Sequence, residues 1–153
     1  MKPSARTVTI VLFVLLVLFG LYNILWFAVV GSTYRDFLPG MKEIYPLSTY
    51  AIDDLDGYTY NVKIPDYLSF TGNLGVQPSC VGEAALIIWP GILKDTEYGV
   101  IIPTEGGSFR KVYLTQDGTV LPEAPEDIRA LVAQNRDTID ELFARAEILW
   151  DYR

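Results

Sequence analysis

Three carboxylates ahead of a glycine, in Asp53-Asp54-Leu55-Asp56-Gly57, form the densest group of side chains able to do chemistry in the sequence. Acids at alternate positions before a glycine are the middle of a calcium loop, whose oxygen ligands continue to a bidentate glutamate at the twelfth position. Here the first ligand position falls on Ile52 and the twelfth on Lys63. The stretch therefore reads as a β-turn, with Asp53, Asp54 and Asp56 remaining the best cation candidates.

Nucleophilic chemistry is narrowed by one absence, because the chain contains no histidine. Ser-His-Asp and Cys-His pairs need an imidazole to take and return a proton near neutral pH. Structural zinc lacks its nitrogen and sulfur ligands as well, since Cys80 is the single cysteine. A serine with a lysine base survives as a class, and Ser79 or Ser108 with Lys111 would be the pair. Such a lysine must be desolvated to be neutral, yet Lys111 follows Arg110 on a stretch that reads as a half-exposed strand. Paired carboxylates of the glycosidase kind stay open, since any two of 19 acids can meet in a cleft. No catalytic residue is assigned on this basis. No cofactor is implied either: Gly106-Gly107 has no Lys-Ser/Thr behind it and precedes a strand, so it reads as a turn and not as a phosphate loop.

Binding residues are easier to name. Tyrosine occurs ten times, and Tyr58 and Tyr60 are the candidates for a sugar- or peptide-binding face, given an apolar ring with a polar tip. Buried, the same two residues are sheet core. Cys80 reads as a small buried apolar side chain, with an intermolecular disulfide as the functional alternative.

The longest signal is VTIVLFVLLVLFGLYNILWFAVV, from Val8 to Val30, which has no ionisable side chain and would span roughly 34 Å as a helix. That exceeds the roughly 30 Å hydrocarbon core of a bilayer and the apolar region of a secretory signal. Val29-Val30-Gly31, before Ser32, offers valines where a cleavage site has small residues. The run is expected to be a retained anchor, with Trp26, Phe27 and Tyr34 at an interface. Lys2, Arg6 and the terminal amine precede it, against Arg35 and Lys42 after it. This bias places residues 1–7 in the cytoplasm and the remainder outside the cell membrane. Asn23, inside the span, is a candidate contact to a partner helix.

Beyond the anchor one domain is expected, too short for two. The whole chain carries a formal charge of −7, and the exported part is more acidic still because Lys2 and Arg6 lie outside it. That argues against nucleic acid, whose phosphates call for Lys and Arg clusters, and against docking onto an anionic lipid surface.

Residues 31–49 read as a connector broken at Pro39-Gly40, and residues 50–153 as the domain. Tyr58, Tyr60, Val62 and Ile64 alternate with Thr59, Asn61 and Lys63, the period of a half-buried strand. Further strands are expected in YLSFTGNLG, AALIIW, Tyr98 to Ile102, Phe109 to Thr115 and Thr119 to Leu121. Pro125 with Glu126 and Asp127 opens one amphipathic helix. Its seam is Ile128, Val132, Asn135, Ile139, Leu142, Ala146 and Leu149, suited to covering the sheet or, with Asn135 setting register, to pairing with a partner helix.

The expected fold class is α+β: a single transmembrane helix, then an antiparallel sheet of about five or six strands covered by a C-terminal helix. The expected role is a membrane-anchored interaction or accessory protein without catalytic activity, contacting the bilayer through residues 8–30 and a protein partner or a second copy. The alternative is an anchored module for a glycan, peptide or cation. A flat apolar patch and an unpaired sheet edge would mark the first, and a concave pocket at Tyr58 or Tyr60 the second.

Overall fold

The computed structural model describes residues 4–80, 82–92, 94–150 and 152; Lys2 of the leading tail lies outside them. Helix α1, Ala5–Tyr34, begins where the Ser4 hydroxyl accepts the Thr7 N–H at 3.2 Å. A proline-free, leucine-rich run carries it without interruption to a 3-10 turn at Arg35–Phe37. Pro39-Gly40 then turns the chain, with Gly40 at a φ of 79°, which glycine adopts without cost.

Seven strands follow in an antiparallel sheet whose spatial order is the sequence order: β1 Lys42–Tyr45, β2 Thr49–Leu55, β3 Tyr58–Lys63, β4 Asn73–Pro78, β5 Ala85–Trp89, β6 Glu97–Thr104 and β7 Ser108–Leu114. Asp56 and Gly57, at φ 52° and 82°, close the β2–β3 hairpin as a two-residue loop with Leu55 opposite Tyr58, the turn that matches strand twist. Registers such as Tyr60 opposite Val76, Leu74 opposite Ile88 and Leu86 opposite Val100 put the alternate residues of successive strands on one face. Tyr60, Val62, Leu74, Val76, Leu86, Ile88, Val100 and Ile102 are all buried there.

The cover is helical. Helix α2, Glu126–Gln134, and helix α3, Arg136–Leu149, meet at Asn135. Ile139, Leu142, Phe143 and Ala146 of α3, with Trp150 behind them, enter the same core cluster as the buried strand residues. The end of α1 adds Trp26, Val30 and Tyr34. Three hydrogen bonds fasten this joint: the Trp26 indole N–H to the Ser69 carbonyl at 2.7 Å, the Gly72 N–H to the Tyr34 hydroxyl at 3.0 Å, and the Trp150 indole N–H to the Phe37 carbonyl at 3.1 Å.

The architecture is the expected one, with four local corrections. The sheet has seven strands, because the connector supplies β1 and Thr49–Leu55 supplies β2, so that Asp53 and Asp54 lie in a strand and only Asp56 and Gly57 form the turn. In YLSFTGNLG the strand starts only at Asn73, since Tyr67 to Thr71 form a loop against α1. Thr119 to Leu121 give a single bridge, Val120 to Leu114. The C-terminal helix is two helices: the Asn135 side-chain amide donates back to the Leu131 carbonyl at 2.8 Å while its backbone leaves helical geometry at φ −109° and ψ 18°, the local competition with the helix ladder that asparagine favours.

Removing Leu142, 1% exposed, should cost about 2–5 kcal/mol, read as a lowered denaturant midpoint for Leu142→Ala in the full-length chain. A Cβ on Gly72 would stand 2.3 Å from the Lys63 carbonyl oxygen and 2.7 Å from the Tyr34 hydroxyl. Gly72→Ala should therefore part α1 from the sheet and loosen the turn around the already exposed Arg35, so that trypsin cuts there sooner than in the parent protein.

Candidate functional site

A two-layer fold with one solvated sheet face normally shows apolar residues inward and polar residues outward. The second face of this sheet departs from that rule on one side. Every buried strand residue of the core cluster belongs to the face beneath α3. The opposite face carries Thr59 and Asn61 of β3, Gly75 and Gln77 of β4, Ile87 and Trp89 of β5, Gly99 and Ile101 of β6, and Phe109, Lys111 and Tyr113 of β7, by the registers of these strands. The β3–β4 half is polar. The β5–β7 half is apolar and aromatic, with Phe109 59% and Tyr113 47% exposed.

Two glycines flatten the face. Gly75 and Gly99 flank Ile87 in one cross-strand row. The Asn61 amide fills the space above Gly75, its nitrogen 2.7 Å from where a Cβ would stand, and the Trp89 ring does the same over Gly99 at 3.0 Å. Trp89 and Tyr113 lie 5.8 Å apart between ring centroids, tilted by 40°, and the Lys111 ammonium sits 4.0 Å above the first ring and 4.6 Å above the second. A cation so placed on ring faces contributes about 0.5–1 kcal/mol at an exposed site. The outcome is a broad platform on which Lys111 is fixed over the rings, with Glu97, opposite Trp89 and paired with Lys94, at its margin. It runs into a shallow depression of about 350 Å³ bounded by Gln77, Pro78, Cys80, Ile101 and Phe109. Strand β7 is the last of the sheet, and beyond it the described residues add only the bridge from Leu114 to Val120. Arg110 on this strand donates to Asp127 at 2.6 Å, which holds that carboxyl below its ordinary range.

The residues singled out from sequence take other places. Tyr60 is 2% exposed and meets Trp150 edge-on at 5.8 Å; burial pushes its hydroxyl above the usual tyrosine range. Tyr58 is half-buried beneath the Arg145 guanidinium, 4.8 Å from its ring. Both thus belong to the covered face. Asp53, Asp54 and Asp56 do not converge: Asp54 accepts the Ser79 hydroxyl at 3.1 Å, Asp56 lies 3.8 Å from Arg145, and among the described residues no three His, Cys, Asp or Glu side chains form a metal-holding group. Asn23 donates to the Phe19 carbonyl at 2.7 Å and accepts the Tyr67 hydroxyl, so its amide is engaged within this chain. Cys80 is exposed, not buried, because the chain has left β4 for the loop to β5 when it reaches it. Lys111, Ser79 and Ser108 keep separate company, on Trp89, Asp54 and Thr104 respectively.

Ile87, Trp89, Ile101, Phe109 and Tyr113 were legible in one respect. AALIIW is apolar at consecutive positions, so both faces of that strand are apolar, and one cover leaves the second unmatched.

Because these side chains lie outside the core, Phe109→Ser and Tyr113→Ser should each change unfolding free energy by no more than about 1 kcal/mol, well below Leu142→Ala, when measured in the same denaturant series.

The chain matches no family model, and it is similar to no curated protein and no solved structure, so the face has to be understood from its own chemistry.

Proposed function

We propose that this protein is a single-pass, membrane-anchored interaction or accessory subunit, without catalytic activity, whose uncovered β5–β7 face receives a protein partner. One observation carries the reading: a flat aromatic and aliphatic platform beside a terminal strand, on the face that the protein's own helices leave open. Interfaces are enriched in Trp, Tyr and Phe at their centres. An exposed cation such as Lys111 sets orientation more than affinity. The terminal strand β7 adds backbone groups to which an extended segment of a partner can pair.

Retention of the anchor is supported by packing. Cleavage before Ser32 would remove Trp26 and Val30, which are 5% and 4% exposed within the core cluster. The remainder of α1 is the opposite case: from Val8 to Phe27 its large apolar side chains are exposed, Trp26 excepted, a surface that water does not favour and hydrocarbon does. The intact mass of the protein purified from membranes should accordingly include residues 1–31. With Lys2 and Arg6 ahead of the span, the domain is assigned to the outer side of the cell membrane.

A photo-crosslinking amino acid at Tyr113 tests the partner. In native membranes it should give one adduct of discrete mass, absent when the same amino acid replaces the exposed Asp137 of α3, and lost on combining it with Phe109→Asp. No adduct at Tyr113, together with quenching of tryptophan fluorescence by an oligosaccharide and its loss in Trp89→Ala, would replace the subunit reading with a ligand-binding module.

A further inference from the structure

We propose that the end of the sheet from which α1 departs is a second membrane contact, with Tyr67 and Leu68 of the β3–β4 loop and Leu47 of the β1–β2 turn seated in the interfacial layer of the phospholipid bilayer. This inference rests on α1 being a retained span.

The depth of the loop follows from its register along the helix. Val8 to Phe27 is the stretch of α1 with exposed apolar side chains, and at 1.5 Å per residue it covers about 30 Å, the thickness of the hydrocarbon core. After Phe27 the helix becomes polar at Ser32, Thr33 and Arg35, or buries itself in the domain at Val30 and Tyr34. The outer boundary of the hydrocarbon thus falls near Phe27. Beside that level lies the β3–β4 loop: Tyr67 donates its hydroxyl to Asn23, its ring is 5.5 Å from Trp26 and 6.4 Å from Phe27, and Ser69 accepts the Trp26 indole N–H. Asn23 is about one helical turn inside Phe27. The loop is therefore tied to the span at the depth where tyrosine and tryptophan concentrate in membrane proteins.

The side chains of this end suit that depth. Leu47 is 83% exposed, Tyr67 52% and Leu68 49%. The β1–β2 turn shares the end with the loop, because the Ile64 N–H donates to the Ser48 carbonyl at 2.8 Å where Thr49 and Lys63 pair. Leu47 and Leu68 also hold left-handed backbone, at φ 57° and 67°, a conformation that glycine or asparagine fills in solvated turns and that bulky L side chains avoid. Each leucine is turned outward at the tip of its loop where a polar residue would serve water better. Charge at this end is nearly balanced and stays exposed: Asp66 in the loop pairs with Lys63 at 3.0 Å, Lys94 of the β5–β6 connection pairs with Glu97, and Glu43 accepts the Leu47 N–H, with Asp95 also at the surface. The opposite end of the sheet is built otherwise. There the β2–β3 turn meets the β4–β5 loop through the Ser79 N–H and the Gly57 carbonyl, and that end carries Asp54 at the close of β2, Asp56 in the turn and Glu83 in the loop. A neutral interface is the implied contact, not an anionic one, and phosphatidylcholine is sufficient.

The full-length protein decides this. In a Cys80→Ser background, single cysteines at Leu15, Leu47, Leu68 and Glu83 are labelled with an environment-sensitive fluorophore and the protein is reconstituted into phosphatidylcholine vesicles. The Leu47 and Leu68 labels should be blue-shifted, quenched by lipids with a spin label near the headgroup, and protected from aqueous iodide. The Glu83 label should behave as in water, and the Leu15 label should respond to lipids spin-labelled deep in the chain. Leu47 and Leu68 labels as open to iodide as Glu83, with Leu15 still deep, would overturn the contact and leave the anchor standing. A Leu15 label that ignores deep spin labels would overturn both.

Discussion

A sheet of seven strands has two faces, and this chain has one cover to give. Six inter-strand spacings make the sheet roughly 29 Å wide, whereas the 14 residues of α3 make a rod roughly 21 Å long and about 10 Å across. Helix α3 accordingly lies over β4 and β5 and cannot reach both flanks. On one flank Tyr98 is shielded by Phe143 and Tyr152, whose rings stand 5.9 and 6.0 Å from it. On the other, Tyr60 meets Trp150, and the last turns of α1 complete the layer with Val30 and Tyr34. The apolar helix at the start of the chain is thus part of the domain's own core as well as an exposed rod. With α1, α2 and α3 all committed to one side, the second face keeps whatever side chains its strands put there.

That second face is shaped by the same shortage. Gly75 and Gly99 would leave gaps on an open sheet, and the side chains laid across them are an amide and an indole, so the surface becomes level without becoming buried. Polar residues keep β3 and β4 compatible with water. On β5 to β7 the residues are those of an interior, although the protein supplies no interior for them. Sheet edges and faces of this kind are the ordinary hazard of β proteins, and Arg110 and Lys111 on the terminal strand are the charges that hold it apart from chance pairing.

The sequence made the elements legible wherever a single period governed a stretch. Tyr58 to Ile64 alternates cleanly because β3 is apolar on one face and polar on the other. The seam of the C-terminal segment is equally clear, since Val132, Ile139, Leu142 and Ala146 all reach the core. Three features resisted. Lys42–Tyr45 is exposed at every position, so no burial pattern marks β1. Tyr67 to Phe70 carries aromatic residues as a strand would, yet Tyr67 faces a helix about forty residues earlier in the chain, a contact that no local pattern encodes. The break at Asn135 depends on which carbonyl its amide finds, and a seam position looks the same whether the helix continues or not. The open face was hidden for a related reason: in ALIIW a continuous apolar run says that both sides avoid water, and only the assembled layers tell which side has been given shelter.

The joint between α1 and the sheet has a mechanical consequence. Trp26 and Tyr34, eight residues and roughly 12 Å apart along the helix axis, each hydrogen-bond to the β3–β4 segment, so the helix is clamped at two points and has no swivel. A rod clamped in this way is a lever. In the span proposed for α1, a bilayer thinner than the apolar run causes tilt, and that tilt cannot be absorbed at the joint. Every degree of it turns the whole sheet, and the platform on β5 to β7 sweeps through an arc set by the thickness of the membrane beneath it.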